Sequence, residues 1–289
     1  MSRDKWINWG LFILLAFIWG SSFILMKVGK QHLNGYQIGA LRIFSAGLVF
    51  LPLALFHLTR IPVRKLPLVV VSGLLGNFLP AFLFAIAIEK KIDSALAGIL
   101  NSLTPLFVLV IAILFFGAQM KARKIWGVII GFIGLLILSL SKGGISTDNF
   151  SYASLILLAT VCYGLNVNVV SIYLKGIDPL KMATVSLAFI SLPAAAILWQ
   201  QEVYDIAVYD AAARWSIAAA ALLGIVGSAF ATAFFYILIK RAGGLFASMV
   251  TYAVPLVAIL WGLIANETVT LVQLGGLGII LGGVYLTNK

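Results

Sequence analysis

Arg42 is the one permanent charge set well inside an apolar segment of this 289-residue chain, about seven residues from the segment's end. Alone in hydrocarbon it would cost from about 3 to more than 10 kcal/mol, according to how far water and headgroups reach it. Such a group takes a partner. A guanidinium can grip a carboxylate in bidentate fashion, which would make Arg42 a substrate anchor. The structural alternatives are helix-end carbonyls, Glu89 or Glu267, or snorkelling towards the membrane surface. Uncharged polar residues recur elsewhere at helical spacing. Trp19, Ser22 and Met26 form one stripe, Tyr163 and Asn166 another, and Asn168 points roughly the other way. Asn101 and Thr104 stand one turn apart beside Pro105, and Asn77 lies near Pro80. Ser228, Thr232 and Tyr236 follow i, i+4, i+8, and Ser248, Thr251 and Tyr252 share a later segment. A polar side chain facing lipid is penalised, so these stripes face protein or a cavity. Interhelical hydrogen bonding suits the serines and threonines. The asparagines and the Trp19/Tyr163 pair read as cavity lining.

Other chemistries find little to work with. No Asp or Glu lies deep in an apolar segment; Glu89 and Glu267 come nearest, at segment ends, and His32 and His57 also fall near ends. Proton-driven carriers usually hold an ionisable carboxylate or histidine within the membrane. This chain therefore reads as a passive facilitator or exchanger, with Arg42 or a substrate's own charge free to couple to the membrane potential. Paired carboxylates, HExxH, GxSxG and Cys/His constellations are missing at membrane depth, which argues against a membrane enzyme. The lone Cys162 reads as a packing residue, and neither a metal nor a cofactor is called for. A channel would usually carry rings of like residues, and none is evident.

The elements that must position these residues are dictated by composition. The chain is 62% hydrophobic and 10% charged, against about 25% charged in a soluble domain. One aqueous core cannot hide that much apolar surface, so lipid is the solvent. Apolar segments long enough to cross a membrane occur at about 9–29, 35–57, 66–88, 94–116, 121–141, 151–173, 182–199, 215–238, 245–265 and 271–287. Each must be helical, because backbone groups in hydrocarbon have to pair within the segment. The first, Trp9 to Gly29, is too long for a signal core and ends in Met26-Lys27-Val28, so it reads as a retained span. The net charge of +11 sits in short runs between apolar segments, which disfavours nucleic acid. The termini and the loops after spans 2, 4, 6 and 8 hold 13 Lys/Arg, and the opposite loops hold six. Both termini are therefore expected in the cytoplasm.

The second half echoes the first. Leu74-Leu75-Gly76 recurs as Leu222-Leu223-Gly224, Ala97 to Pro105 as Ala247 to Pro255, and Trp19-Gly20-x-Ser22 as Tyr163-Gly164-x-Asn166. Five spans per half is an odd number, so the halves, 1–145 and 146–289, would insert in opposite orientations. Inverted repeats characterise secondary transporters that alternate access about a midplane site. Pro105 and Pro255, central in spans 4 and 9, should each remove a hydrogen bond and kink the helix there. The expected fold is thus an all-α integral membrane protein of ten transmembrane helices in two inverted-topology five-helix repeats.

Trp19-Gly20-Ser21-Ser22-Phe23, Ala40-Leu41-Arg42, Ala97-x(6)-Thr104-Pro105-Leu106 and the glycine-rich fifth spans resemble the drug/metabolite transporter superfamily, specifically its EamA-like permeases. The resemblance covers essentially the whole chain. It implies a central cavity lined by helices 1–4 and 6–9, and export of amino acids or other small metabolites across the inner membrane. One departure is visible. Asn266-Glu267 keeps the acid that members often carry after the fourth helix of each half, whereas Gly117-Ala118-Gln119 lacks it. The expected substrate-binding set is Trp19, Ser22, Arg42, Asn77, Asn101, Tyr163, Asn166, Ser228, Thr232 and Tyr252, with Asn101 and Asn166 acting on substrate rather than as glue. A zwitterionic or modestly polar solute fits such a set better than a phosphate-rich one, because no midplane cluster of Lys or Arg is present. Spans 5 and 10 carry small-xxx-small pairs (Gly127/Gly131, Gly278/Gly282) that suit close helix packing or dimerisation, so the chain is expected to be a monomer or a weak homodimer.

Overall fold

A computed structural model describes residues 3–90, 92, 94–140, 150–264 and 270–288. Glu267, Asn266, Asp148 and the expected boundary at 145/146 lie outside the described residues. Among the described residues the chain is built from helices and carries no strand. In order they are α1 (Arg3–Gly29), α2 (Gly35–Leu58), α3 (Val63–Glu89), α4 (Ser94–Asn101), α5 (Thr104–Phe116), α6 (Ala122–Leu140) and α7 (Phe150–Tyr173). Then come α8 (Pro179–Gln200), α9 (Val203–Tyr209), α10 (Ala213–Ala242), α11 (Gly244–Ser248), α12 (Val250–Ile264) and α13 (Leu271–Asn288). Six of these, α1, α2, α3, α7, α8 and α10, are long and apolar enough to cross a membrane. Shorter apolar helices fill the intervals. Large apolar side chains stand outward on many of them, such as Leu55, Phe115, Leu192 and Trp199. In water that surface would aggregate; in a bilayer it is solvated. The chain is a multi-pass membrane protein.

Local chemistry sets the helix ends. Asn34 caps α2 by accepting from Gln37 N, and the Gln37 side chain returns the bond to the Asn34 backbone, a capping box. Asp178 caps α8 with Pro179 in its first turn. At the predicted kinks the structure is more specific than the sequence. Pro105 does not bend a continuous span: the helix stops at Asn101 and restarts at Thr104, so Pro105 sits in the first turn of α5 where its missing N–H costs nothing. The later span breaks at Met249, between α11 and α12, and Pro255 lies inside α12. Each proline frees the carbonyl four residues before it, and each freed carbonyl finds a hydroxyl. Thr104 Oγ1 donates to Asn101 O at 2.6 Å, and Ser102 Oγ donates to Thr251 O at 3.0 Å. The second bond ties one broken span to the other.

Two further irregularities matter for the site. A π-helical turn interrupts α3 at Leu74–Phe78, and another interrupts α10 at Ile225–Phe230. Such turns widen the helix and take some carbonyls out of the regular ladder.

Helix pairing follows a pattern. α2 lies along α8, and α6 lies along α13. α1 packs on α12 and α10, while α7 packs on α5 and α3. α2 also meets α10, and α8 meets α3. The α6–α13 contact is close enough to need glycine. A Cβ on Gly134 would lie 2.7 Å from Ile280 N and 2.9 Å from Gly276 O, and Gly127 and Gly283 face each other's helices in the same way. Gly278 and Gly282 instead have nothing within 4 Å. The two glycine pairs singled out by spacing thus do not meet: Gly127 and Gly131 face inward, and Gly278 and Gly282 face out.

Candidate functional site

A cavity of about 90 Å³ opens between α1, α3, α7 and α10, and the two broken spans close its sides. Trp19, Ser22, Phe23 and Met26 come from α1; Gly76, Asn77 and Phe84 from α3; Tyr163, Asn166 and Val167 from α7; and Gly227, Thr232, Phe235 and Tyr236 from α10. Asn101, Thr104, Ser248, Thr251 and Val254 reach it from α4, α5, α11 and α12, and Arg42 is the single contribution from α2. Among the described residues nothing comes from α6, α8, α9 or α13. The two π turns supply Gly76-Asn77 and Gly227 to the wall, and the helix breaks supply Asn101 and Ser248.

Arg42 is half-buried here. Its Nε donates to Ser228 Oγ at 2.7 Å, and no carboxylate pairs with it among the described residues. Glu89 is occupied elsewhere: its carboxylate accepts from Gly35 N at 2.8 Å and lies 3.8 Å from Lys90. Ser228 is fully buried and so orients the guanidinium rather than lining the space. Gly224 packs on the Arg42 carbonyl, which fixes the backbone from which the side chain extends. The result is a cation beside a cavity with a neutral partner only.

The amides divide by their partners. Asn77 Oδ1 accepts from Thr232 Oγ1 at 2.8 Å, a bond between α3 and α10. Asn166 Oδ1 accepts from Ser72 Oγ at 2.7 Å, and Ser72 Oγ is also 2.8 Å from Tyr236 Oη, so α3, α7 and α10 meet in one buried network. The Asn166 amide lies directly on Gly76, where any side chain would displace it. Asn101 differs: its Oδ1 is buried and, among the described residues, has no hydrogen-bond partner. A buried acceptor left unpaired costs roughly 1–3 kcal/mol, which is recovered if a ligand donates to it. Asn168, on the opposite side of α7, donates to Val108 O and Gly164 O and joins helices.

The aromatic wall is held by its own contacts. Trp19 Nε1 donates to Gly227 O at 3.2 Å, using a carbonyl of the π turn, and its ring meets Phe235 edge-on at 5.3 Å. Tyr163 lies 6.3 Å from Phe84 in a tilted pair. Ser22 bonds back to Ile18 O within its own helix.

Eight of the ten expected residues therefore line one cavity, and Ser228 holds Arg42 behind it. Tyr252 does not belong there. It is fully buried on the far side of α12, its hydroxyl donates to Val128 O at 3.0 Å, and its ring lies over Gly131 of α6. Neighbouring Thr251 takes the cavity side instead. Sequence reasoning overlooked Phe84, Phe235 and Ser72. The two phenylalanines carry no signal that distinguishes a cavity wall from a lipid-facing position, and Ser72 looks like ordinary interhelical glue. Among the described residues no three His, Cys, Asp or Glu side chains gather to hold a metal ion.

Comparison with known proteins places this architecture. A family model described as the EamA-like transporter family matches residues 7–140 and 150–289. The chain is 25% identical to an uncharacterized transporter of Archaeoglobus fulgidus over 98% of this chain and 99% of that protein. It is 27% identical to the uncharacterized inner membrane transporter YedA of Escherichia coli K12, over 96% and 90%. A probable amino-acid metabolite efflux pump of Salmonella typhimurium is 29% identical over 44% of this chain and 41% of that protein. A protein of known crystal structure superposes with a TM-score of 0.71 at 17% identity, covering 99% of this chain and 96% of the other, a likeness of fold.

Proposed function

Since the chain belongs to the EamA-like transporter family, we propose that it is a secondary carrier for a small carboxylate-bearing metabolite, of the amino-acid class, exported by alternating access about the cavity. The observation that carries this reading is Arg42: a guanidinium beside the cavity, oriented by the neutral Ser228 and without a carboxylate among the described residues. A substrate carboxylate supplies the missing counter-charge, and the guanidinium's planar fork suits it. Asn101 Oδ1 then accepts from a substrate N–H, and Trp19, Tyr163, Phe84 and Phe235 enclose the apolar body. This is a zwitterion's complement, with few polar groups set in an aromatic wall. The name borne by the partial relative from Salmonella typhimurium agrees with it.

Alternating access needs two halves that can exchange places, and the helix packing supports ten spans in two inverted repeats, 1–145 and 146–289. α4/α5 and α11/α12 each count as one broken span. Exchanging the first five spans for the second five maps the main helix pairings onto one another. α2 pairs with α8 and α6 with α13, each with its own counterpart; α1 on α12 becomes α7 on α5; and α1 on α10 becomes α7 on α3. Long-range polar contacts agree with cytoplasmic termini in an inner membrane. Arg241 bonds Asp4 and Asn8, and Lys65 bonds Tyr173 O, all at ends read as cytoplasmic. Asn34 and Gln37 bond Gln201, at ends read as extracytoplasmic. The outward Gly278/Gly282 face leaves the protein a monomer or a weak homodimer.

A panel of amino acids and other small carboxylates, screened for thermal stabilisation of the detergent-purified protein, tests the assignment. A stabilising carboxylate is expected for the native protein and not for Arg42→Gln. Equal stabilisation of both would remove Arg42 from the site.

A further inference from the structure

Outside the cavity, an open groove of about 560 Å³ lies at the ends of the helices, lined by Arg60, Lys65, Tyr173, Asp178, Lys181 and Lys240 among others. Its cations come from separate parts of the chain: the α2–α3 connection, the start of α3, the start of α8 and the end of α10. Among the described residues none of the four forms an ion pair. The one acid, Asp178, is spent on capping α8, accepting from Leu180 N and Lys181 N at 3.1 and 3.2 Å. Lys65 donates to Tyr173 O at 2.9 Å, and the Arg60 guanidinium stands 3.7 Å over the Phe56 ring, so two of the cations are held in place. The groove has outward apolar neighbours: Tyr173 lines it, and Phe56, exposed beneath the Arg60 guanidinium, adjoins it.

We infer that this groove binds the phosphate of an anionic phospholipid, with the acyl chains lying along Phe56 and Tyr173. Four convergent cations against the single carboxylate of Asp178 leave a net positive charge that suits a phosphate, and basic pockets between helix ends at the cytoplasmic surface are where such headgroups settle. The apolar neighbours select a ligand carrying chains on its phosphate over a soluble anion. The bound lipid bridges α2, α8 and α10, elements from both halves of the chain. The inference does not depend on the cavity or its substrate.

Native mass spectrometry of the full chain, purified from equimolar phosphatidylglycerol and phosphatidylcholine, tests it. Retention of phosphatidylglycerol over phosphatidylcholine is expected. A cation near a membrane surface is worth about fivefold in affinity, so Arg60→Gln/Lys181→Gln/Lys240→Gln should weaken retention roughly a hundredfold. Lys121→Gln/Lys124→Gln, outside the groove on the same face, should retain the lipid. If the triple variant melts well below the native protein in phosphatidylcholine, Lys240→Glu alone replaces it and should still abolish the preference. Equal retention of the two lipids, or equal loss in the control variant, overturns the site. Stabilisation by glycerol phosphate as large as that by phosphatidylglycerol overturns the lipid assignment in favour of a soluble phosphate.

Discussion

At the scale of single residues, the cavity wall separates a polar group without a hydrogen-bond partner among the described residues from groups already bound into the protein. Asn101 and Asn166 both line the cavity, yet only Asn166 is bound into a network, through Ser72 and Tyr236. Asn101→Ala is therefore expected to weaken substrate binding by about 1–3 kcal/mol, roughly 5- to 150-fold, with melting temperature near native. Asn166→Ala leaves Ser72 and Tyr236 with an incomplete buried network and should cost a similar amount of stability. Titration calorimetry alongside thermal unfolding separates the two, and the reverse pattern would exchange their roles. From spacing alone these asparagines look alike, because periodicity reports the face of a helix and not what stands opposite. The same limit misassigned Tyr252. Adjacent residues on a helix point about 100° apart, so Thr251 at the cavity edge turns Tyr252 towards α6. Ser248, Thr251 and Tyr252 are all polar, so their spacing alone does not fix which of the two neighbours looks inward.

At the scale of elements, the glycines of α6 and α13 and the prolines of the broken spans carry the design. Gly134 has the Ile280 and Gly276 backbone against it, so Gly134→Val must push α6 from α13. Overpacking of this kind costs about 1–3 kcal/mol or more, and thermal unfolding in mild detergent should register the loss. Gly278→Ala meets nothing within 4 Å and should be neutral or raise stability by up to about 1 kcal/mol through helix propensity. Equal effects at the two positions would contradict the packing described. The glycine-rich character of these helices was legible in the sequence; the pairing of Gly127 and Gly134 with the far helix, rather than with Gly278 and Gly282, was not. Likewise the prolines marked the spans that break, while the position of the later break, at Met249 six residues before Pro255, was not legible. The π turns of α3 and α10 leave no local signature in composition, although they create the widened wall at Gly76-Asn77 and Gly227.

At the scale of the molecule, much of the architecture follows from where water is forbidden. Apolar segment length, the Lys/Arg asymmetry and the echo between halves together imply a multi-pass helical transporter from the sequence alone. In a Cys162→Ser background, a cysteine introduced at Asp205 is expected to react with an impermeant maleimide added to intact cells. Protection until the membrane is permeabilised would invert the topology. The native thiol is buried in α7, so Cys162→Ser itself should leave transport unchanged. The central claim, a carrier that grips a carboxylate through Arg42, is tested most directly by counterflow in proteoliposomes. Vesicles loaded with the unlabelled stabilising metabolite should accumulate external label transiently above equilibrium, and Arg42→Gln vesicles should lose that overshoot. Label that merely equilibrates, as through a channel, or an overshoot undiminished in Arg42→Gln, would contradict the account.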